Sequence, residues 1–464
     1  MKKLVVFFTL ILIEIGAALP SKEVHLSAPI QWVSFNPEYS YDMMNQNDYV
    51  TEKAHYLLNA KEKFYSRAVI GTQARFIGSF GWTNTKNKFP YLMRLPSDFH
   101  GRTASELNVN NFNIAITAAV TNWLTLYGEI RYNPARTFGP GNEDITVFDA
   151  QGNPLTIDLG SVRDTTRQLM FGYNAFALVG NPNYSGFYFY IGHFTLPFGN
   201  FKTYNPFSQS VPFHYFAARG NGASLGYQYE GFNIEFCGVQ GGPQERVANG
   251  GNDGKVGNFT VNAKYDNTFR DFLSLHLGGG MIFGTGYCSK WPISHFVICD
   301  KRNGAWDVNA ELGFGKHFSV RGELVRTFKV WPGTSGTPSQ PKFFFPAKHL
   351  TTFVVESKYE FDIYKKRDEN GNITKTIPFA LTASWGEGLQ GDRRSPWAFN
   401  KQFTAAIQSK LTPTVLTFLE YNFLRGFAPL QWMSGFYSAP GVFVMSSNKY
   451  VRENLFLGGI TAAF

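Results

Sequence analysis

The chain predicts an all-β fold: a transmembrane, antiparallel, up-and-down β-barrel of about sixteen strands, preceded by a short N-terminal segment. Three observations carry this. Counting back by twos from the end puts Phe464, Ala462, Ile460, Gly458 and Phe456 on one face of a closing strand, a row of apolar or small side chains suited to lipid. The chain holds 46 Phe, 23 Tyr, 9 Trp and 46 Gly, 17% aromatic, yet beyond residue 18 it offers no apolar run long enough for a membrane helix. Short and long connections also alternate along the sequence, as tight periplasmic turns and free extracellular loops do.

At the N-terminus, Met1-Lys2-Lys3 is a charged region, Leu4 to Ile13 an apolar one, and Gly16-Ala17-Ala18 a small-residue site. These are the three parts of a secretory signal peptide, expected over residues 1–18. Residues 19–65 read as a periplasmic segment with a short helix. There Asp48 is placed to cap, and Val50, Ala54, Leu57, Leu58 and Phe64 fall near one face. The barrel is expected over residues 66–464.

The first strand spans about Ser66 to Trp82, with Ile70, Ala74, Phe76, Phe80 and Trp82 opposing Gln73, Arg75 and Ser79. Two strands near 105–120 and 123–132 flank a tight Thr121-Asn122 turn. Further short links are expected at Asn181-Pro182-Asn183, Glu230-Gly231, Asp266-Asn267, Gly315-Lys316 and Thr412-Pro413, with a longer one over Lys365 to Lys375. Long loops are expected near 195–221, 241–256, 285–303, 331–347, 387–399 and 426–449. An even strand number puts both chain ends in the periplasm. Phe456, Ile460 and Phe464 then form the C-terminal signal read by the barrel-assembly machinery.

The formal charge is +9, from 43 Lys+Arg against 34 Asp+Glu. Without a basic helix, zinc spacing or RNA-binding signature, this excess does not indicate nucleic acid. It fits a basic lumen or outer loops that draw in anions, and equally an even spread over solvated surface. Of three cysteines, Cys288 and Cys299 lie close enough for a disulfide that staples one loop, and Cys237 reads as a lone apolar thiol. No nucleophile elbow, zinc-binding His pair, EF-hand or phosphate loop occurs, so neither enzyme activity nor a metal or other cofactor is expected.

Alternation instead turns a set of charges inward: Arg75, Glu129, Arg131, Arg321, Glu323, Glu356, Lys358 and Glu420. Burying them unpaired is costly, so they either line a wet solute path or form an interior ion-pair network.

The stretch from Gly186 to Glu245 adds a likeness to a family. Tyr190-Ile191-Gly192-His193-Phe194, Leu196-Pro197-Phe198-Gly199, Tyr204-Asn205-Pro206-Phe207, Pro212-Phe213-His214-Tyr215-Phe216, Gly222-Ala223-Ser224-Leu225-Gly226-Tyr227 and Gly238-Val239-Gln240-Gly241-Gly242 resemble segments of the siderophore-porin family, the TonB-independent barrels of the legiobactin-receptor type. That resemblance implies a sixteen-stranded outer-membrane barrel with a periplasmic N-terminal extension that imports a ferric siderophore. Two alternatives stay open: a general or anion- or sugar-selective porin, and a barrel that transports nothing and displays adhesive or antigenic loops. The expected partners are outer-membrane lipid, the assembly machinery and a small solute.

Overall fold

The structure, a computed structural model, describes residues 31–60, 66–84, 101–132, 145–148, 154–157, 170–240, 245–246, 255–269, 272–288, 302–335, 345–367, 369, 371, 373–395, 398–426, 435–439, 442–445 and 449–464. The signal-peptide expectation lies outside them. A short strand, β1 (Gln31–Phe35), leads into helices α1 (Pro37–Met44) and α2 (Lys53–Asn59). The barrel strands follow: β2 (Ser66–Thr83), β3 (Thr103–Ala119), β4 (Leu124–Tyr132), β5 (Met170–Gly180), β6 (Phe187–Thr195), then helix α3 (Val211–Phe216), β7 (Ala218–Tyr229), β8 (Phe232–Gln240) and β9 (Val256–Phe269). The circuit continues with β10 (Leu273–Ile282), β11 (Ala305–Phe314), β12 (Phe318–Thr327), β13 (Thr351–Arg367), β14 (Ile373–Leu389), β15 (Phe399–Thr412), β16 (Val415–Gly426) and β17 (Arg452–Ala463).

Among the described residues each barrel strand pairs antiparallel with the next, and β17 pairs with both β16 and β2, so sixteen strands close with no free edge around the wall. Closure matters because an unpaired backbone group in hydrocarbon costs several kcal/mol. Two small hairpins, Ile145–Phe148 with Pro154–Ile157 and Gly435–Ala439 with Val442–Met445, stand outside this sheet in long connections.

The register sorts side chains as alternation requires. Along β4, Thr125, Tyr127, Glu129 and Arg131 are buried while Leu126 and Ile130 are exposed, and along β17 Phe456 and Ile460 face out. On that outer surface Phe456 stacks near Trp82 and Tyr421, with ring centroids 5.8 and 4.9 Å away. This apolar exterior around a polar interior makes the chain a membrane-spanning barrel of the outer-membrane type, crossing with strands.

At the short-turn end β17 stops before β2 does. Phe464 exchanges both backbone hydrogen bonds with Thr72, at 3.0 and 2.8 Å. Below that point β1 takes over the vacant edge of β2 as a parallel strand, pairing Gln31 with Ser66 through Phe35 with Ile70.

Four local expectations change. The N-terminal segment holds two helices. The expected helix is α2, but it starts after Glu52 without a side-chain cap, and Asp48 accepts from Asn45 Nδ2 instead; the additional helix α1 is capped by Asn36, its Oδ1 accepting from the Tyr39 amide at 3.0 Å with Pro37 in the first turn. Asp266 and Asn267 sit inside the β9–β10 ladder, where Asp266 pairs with His276, because the strand runs on through polar residues that look like a turn. The link expected over Lys365 to Lys375 is mostly ladder, paired from Lys366 with Lys375 out to Arg367 with Ile373, so β13 and β14 run on through it. The loop expected over 195–221 goes into the barrel, as follows.

Candidate functional site: a lumen filled from both ends

Residues 196–217 leave β6 at the end of the barrel that carries the long connections, then fold inward across the lumen. Seven aromatic residues, Phe198, Phe201, Tyr204, Phe207, Phe213, Tyr215 and Phe216, explain the direction: such a loop has too much apolar surface to leave in water. Gly199 (φ 71°) and Phe201 (φ 55°) turn the backbone through the left-handed region. Ser210 starts α3, its Oγ accepting from the Phe213 amide at 3.3 Å.

A buried loop carries amides that need acceptors. The wall supplies them as carboxylates on four strands. Asp307 on β11 accepts from the Gly199 amide at 3.2 Å. Glu323 on β12 accepts from the consecutive amides of Asn200 (2.8 Å) and Phe201 (3.1 Å). Glu356 on β13 accepts from Thr203 Oγ1 (2.7 Å) and the Tyr204 amide (3.0 Å), and Glu420 on β16 from the amides of Phe207 and Ser208, each at 3.1 Å. Each pairing meets two needs, since a buried amide without an acceptor is costly and a buried carboxylate without donors is costlier still.

Residues 36–60 enter from the opposite, short-turn end. The Tyr39 hydroxyl bonds Thr117 Oγ1 at 2.7 Å, and Gln73 Nε2 donates to the Tyr41 carbonyl at 3.2 Å. Gly71 of β2 makes room for α1: a Cβ there would lie 1.8 Å from Ser40 Oγ. Met43, Met44, Leu57 and Leu58 join one buried cluster with Phe198, Phe201 and Phe213 of the loop and Tyr127, Phe176, Leu178 and Tyr188 of the wall. The two inserts meet in mid-lumen. Asn47 Nδ2 donates to the Asn205 carbonyl (2.6 Å), the Thr203 amide donates to the Asn47 carbonyl (3.2 Å), and Thr51 Oγ1 donates to the Gly199 carbonyl (2.7 Å).

Two consecutive plug residues make ion pairs in opposite senses. Lys53 Nζ lies 3.3 Å from Glu129 of β4. Glu52 lies 3.5 Å from Lys202 of the inner loop and 3.0 Å from Lys264 of β9. Burial opposes the Glu52 charge, but Lys202 and Lys264 outweigh it and hold the carboxyl well below the usual carboxylate range. In turn burial works against the Lys202 ammonium, and Glu52 more than restores it, so its pKa is raised. His55, 3.1 Å from Lys264 Nζ, is pushed down to about 4 by burial and then by that ammonium.

The structure therefore brings together residues that the sequence could only turn inward. Glu129 is shared among Lys53, Arg131 (3.4 Å) and Asn174 (2.8 Å). Arg321 donates to Asn200 Oδ1 at 3.3 Å and lies 3.8 Å from Glu356, while Lys358 pairs with Glu360 at 3.3 Å. The Lys358 ammonium is also 5.2 Å from the Tyr204 ring centroid. Arg75 donates to Thr461 Oγ1 at 3.2 Å and stands 5.7 Å from the Phe207 ring. Cys237 is a free, buried thiol; Cys288 is disulfide-bonded, and its expected partner Cys299 lies outside the described residues.

Residues missed in the sequence are Asp307, Glu52, Lys53, Lys202 and Lys264. For the inner loop, aromatic density was the available signal. The lysines and Glu52 gave none, because their partners come from distant segments.

Fold and site thus define a closed, membrane-spanning β-barrel with an inserted loop and an inserted N-terminal segment. No family model matches the chain, and no curated protein does. Among solved structures, the chain is similar to an anion-selective porin from Comamonas acidovorans (11% identity, TM-score 0.47, covering 86% of this chain and 100% of that one). It is similar also to the outer-membrane channel DcaP of Acinetobacter baumannii (10%, 0.46, 86% and 97%) and to OmpT of Vibrio cholerae (10%, 0.45, 86% and 98%).

Proposed function

We propose that this protein is a porin-like channel of the Gram-negative outer membrane. Its solute path runs through the charged lumen past the inner loop, and its N-terminal segment sits on the periplasmic side as a plug. The observation that carries the reading is the inner loop itself: carboxylates on β11, β12, β13 and β16 hold the backbone of 196–217 inside the lumen, which narrows the bore. Ferric-siderophore uptake is the finer proposal, and the sequence resemblance across Gly186 to Glu245 supports it. Arg75, Glu129, Arg131, Arg321, Glu323, Glu356 and Lys358 would shape the path, mainly by positioning the two inserts. Lipid and the barrel-assembly machinery are the proposed partners of the exterior and of Phe456, Ile460 and Phe464.

A second reading, a barrel that transports nothing, is favoured by the continuous buried cluster joining plug, loop and wall. Conductance across planar bilayers separates the two. Discrete current steps from the full-length protein are expected; silence under all salt and voltage conditions would leave the non-transporting barrel. Labelled-iron uptake by cells with and without the gene, supplied with a panel of ferric siderophores, tests the finer claim, and equal uptake for every member removes it.

A further inference from the structure

Lys202 and Lys264 come from different parts of the molecule, one from the inner loop and one from strand β9, yet both ammonium groups converge on one carboxylate oxygen, Glu52 Oε2, at 3.5 and 3.0 Å. That carboxylate belongs to the plug. It is 9% exposed, and the Lys264 side chain is equally shielded. The remaining charged or titratable neighbours are, around Lys264, Asp266, 3.9 Å away and half exposed, with His276 2.6 Å from Asp266, and His55, whose Nδ1 faces Lys264; around Lys202 they are Glu311 and Arg321 of the wall, Asp48 of the plug and the Tyr49 ring at 5.2 Å. With Glu52 withdrawn, the shielded Lys264 ammonium and the partly exposed Lys202 ammonium lose their shared partner and keep only Asp266 and the more distant Glu311, and partly desolvated ammonium groups demand an anion.

The plug is held to the wall and the loop by side-chain packing and hydrogen bonds and joins the barrel sheet through β1 and β2. Both of its ends are held in one strand pair, β1 with β2: Phe35 pairs with Ile70 where β1 ends, and Ser66, where β2 begins, pairs with Gln31. Residues 36–60 lie between these two paired points, so their withdrawal from the lumen would break no strand pair. The loop stays behind, since its carboxylate anchors come from the wall and not from the plug. Lys53 leaves Glu129, and Arg131 at 3.4 Å keeps that carboxylate paired.

We infer that Lys202 and Lys264 form an anion seat for a small carboxylate- or phosphate-bearing solute, and that Glu52 of the plug fills this seat as an internal substitute until the solute displaces it. This rests on the channel reading for its physiological meaning, and it names the chemical class that the channel would admit. Porin-like uptake of an anion then becomes an exchange of one carboxylate for another on the same two lysines.

Equilibrium binding of citrate and of inorganic phosphate to the full-length, detergent-solubilised protein tests the inference by titration calorimetry. Wild-type protein should bind weakly because Glu52 competes. Glu52→Gln should bind at least one probe roughly tenfold more tightly, and adding Lys264→Gln should return the affinity to the wild-type level or below. Glu52→Ala serves as the second variant, with heat-dependent gel mobility reporting that each barrel is folded. Tightening with citrate alone identifies a carboxylate seat; tightening with phosphate alone identifies a phosphate seat. If neither Glu52 variant gains affinity, or if the gain survives Lys264→Gln, the seat does not exist. Failure of the channel reading shows separately, as absence of current in bilayers with the binding difference intact.

Discussion

Glu323 on strand β12 accepts hydrogen bonds from two consecutive loop amides, those of Asn200 and Phe201, at 2.8 and 3.1 Å. The two N–H groups belong to adjacent peptide units and converge on one carboxylate, an arrangement suited to an anion. Glu323→Ala removes the acceptor and leaves two buried amides unsatisfied, at about 1–3 kcal/mol each. The expected outcome is a loop that detaches locally from β12 in a barrel that still closes, since strand pairing does not involve it. Single-channel recordings should show larger and noisier currents, with heat-dependent gel mobility retained. Recordings identical to wild type would show that the remaining anchors at Glu356 and Glu420 suffice.

Gly71 offers a direct test of plug docking. Any side chain there meets Ser40 of α1, which a Cβ would approach to 1.8 Å. Gly71→Val should therefore expel α1 while leaving β2 paired, because valine favours extended backbone. Protease cleavage within residues 36–60 should rise sharply and basal current should increase. An unchanged cleavage pattern would mean that the helix shifts along the wall and stays docked.

The barrel was legible in the sequence because a closed sheet imposes its period on every strand: Phe456, Ile460 and Phe464 could face only lipid, and Glu129 and Arg131 only the lumen. What fills the lumen was not legible. Charged residues at inward positions look the same whether they line water, pair with one another or bind another segment, so the backbone amides that Glu323 and Glu356 hold were not foreseen. Loop 196–217 read as external because length and turn residues mark a loop but not its side of the wall. Its seven aromatic residues carried the correct direction. Glu52 and Lys53 stood in a segment whose helical periodicity suggested a single helix, and neither partner strand is near it in sequence.

Acidification should loosen the plug. The docked His55 titrates near 4 against an ordinary value of 6.5, so between these values the released imidazole takes up a proton that the docked one refuses. Docking is therefore strongest above 6.5 and weakens as pH falls toward 4, by at most about 1.4 kcal/mol per pH unit. Glu52, depressed below 4.5, contributes stability above that value and loses it as pH falls further. Asp48 acts in the opposite sense: burial raises its carboxyl, so its protonation offsets part of the loss. Open probability should rise on going from pH 7.5 to pH 5, and His55→Gln should flatten that rise. A variant with the wild-type profile would assign the response to another group.

The seam between the first and last strands carries the final prediction. β17 ends with Phe464 bonded to Thr72, and the edge of β2 from Ser66 to Ile70 would stand unpaired were it not for β1. Trp32 and Phe35 are exposed on β1, at 66% and 69%, and the Arg67 guanidinium sits 4.7 Å over the Trp32 ring. Exposed aromatic rings and a basic group at a barrel rim suit the boundary between hydrocarbon and headgroups. Two different losses should follow from two changes. Phe464→Asp places a charge on an exposed aromatic position of the lipid face, so less barrel should reach the membrane, while barrels that do assemble keep the β2–β17 ladder. Deleting Gln31 to Phe35 leaves Phe464 and the lipid face intact but opens the β2 edge and frees one end of the plug, so assembled yield should hold while the temperature of gel-mobility conversion falls. Equal loss of yield in both variants would make β1 part of the assembly step and not a latch on the finished seam.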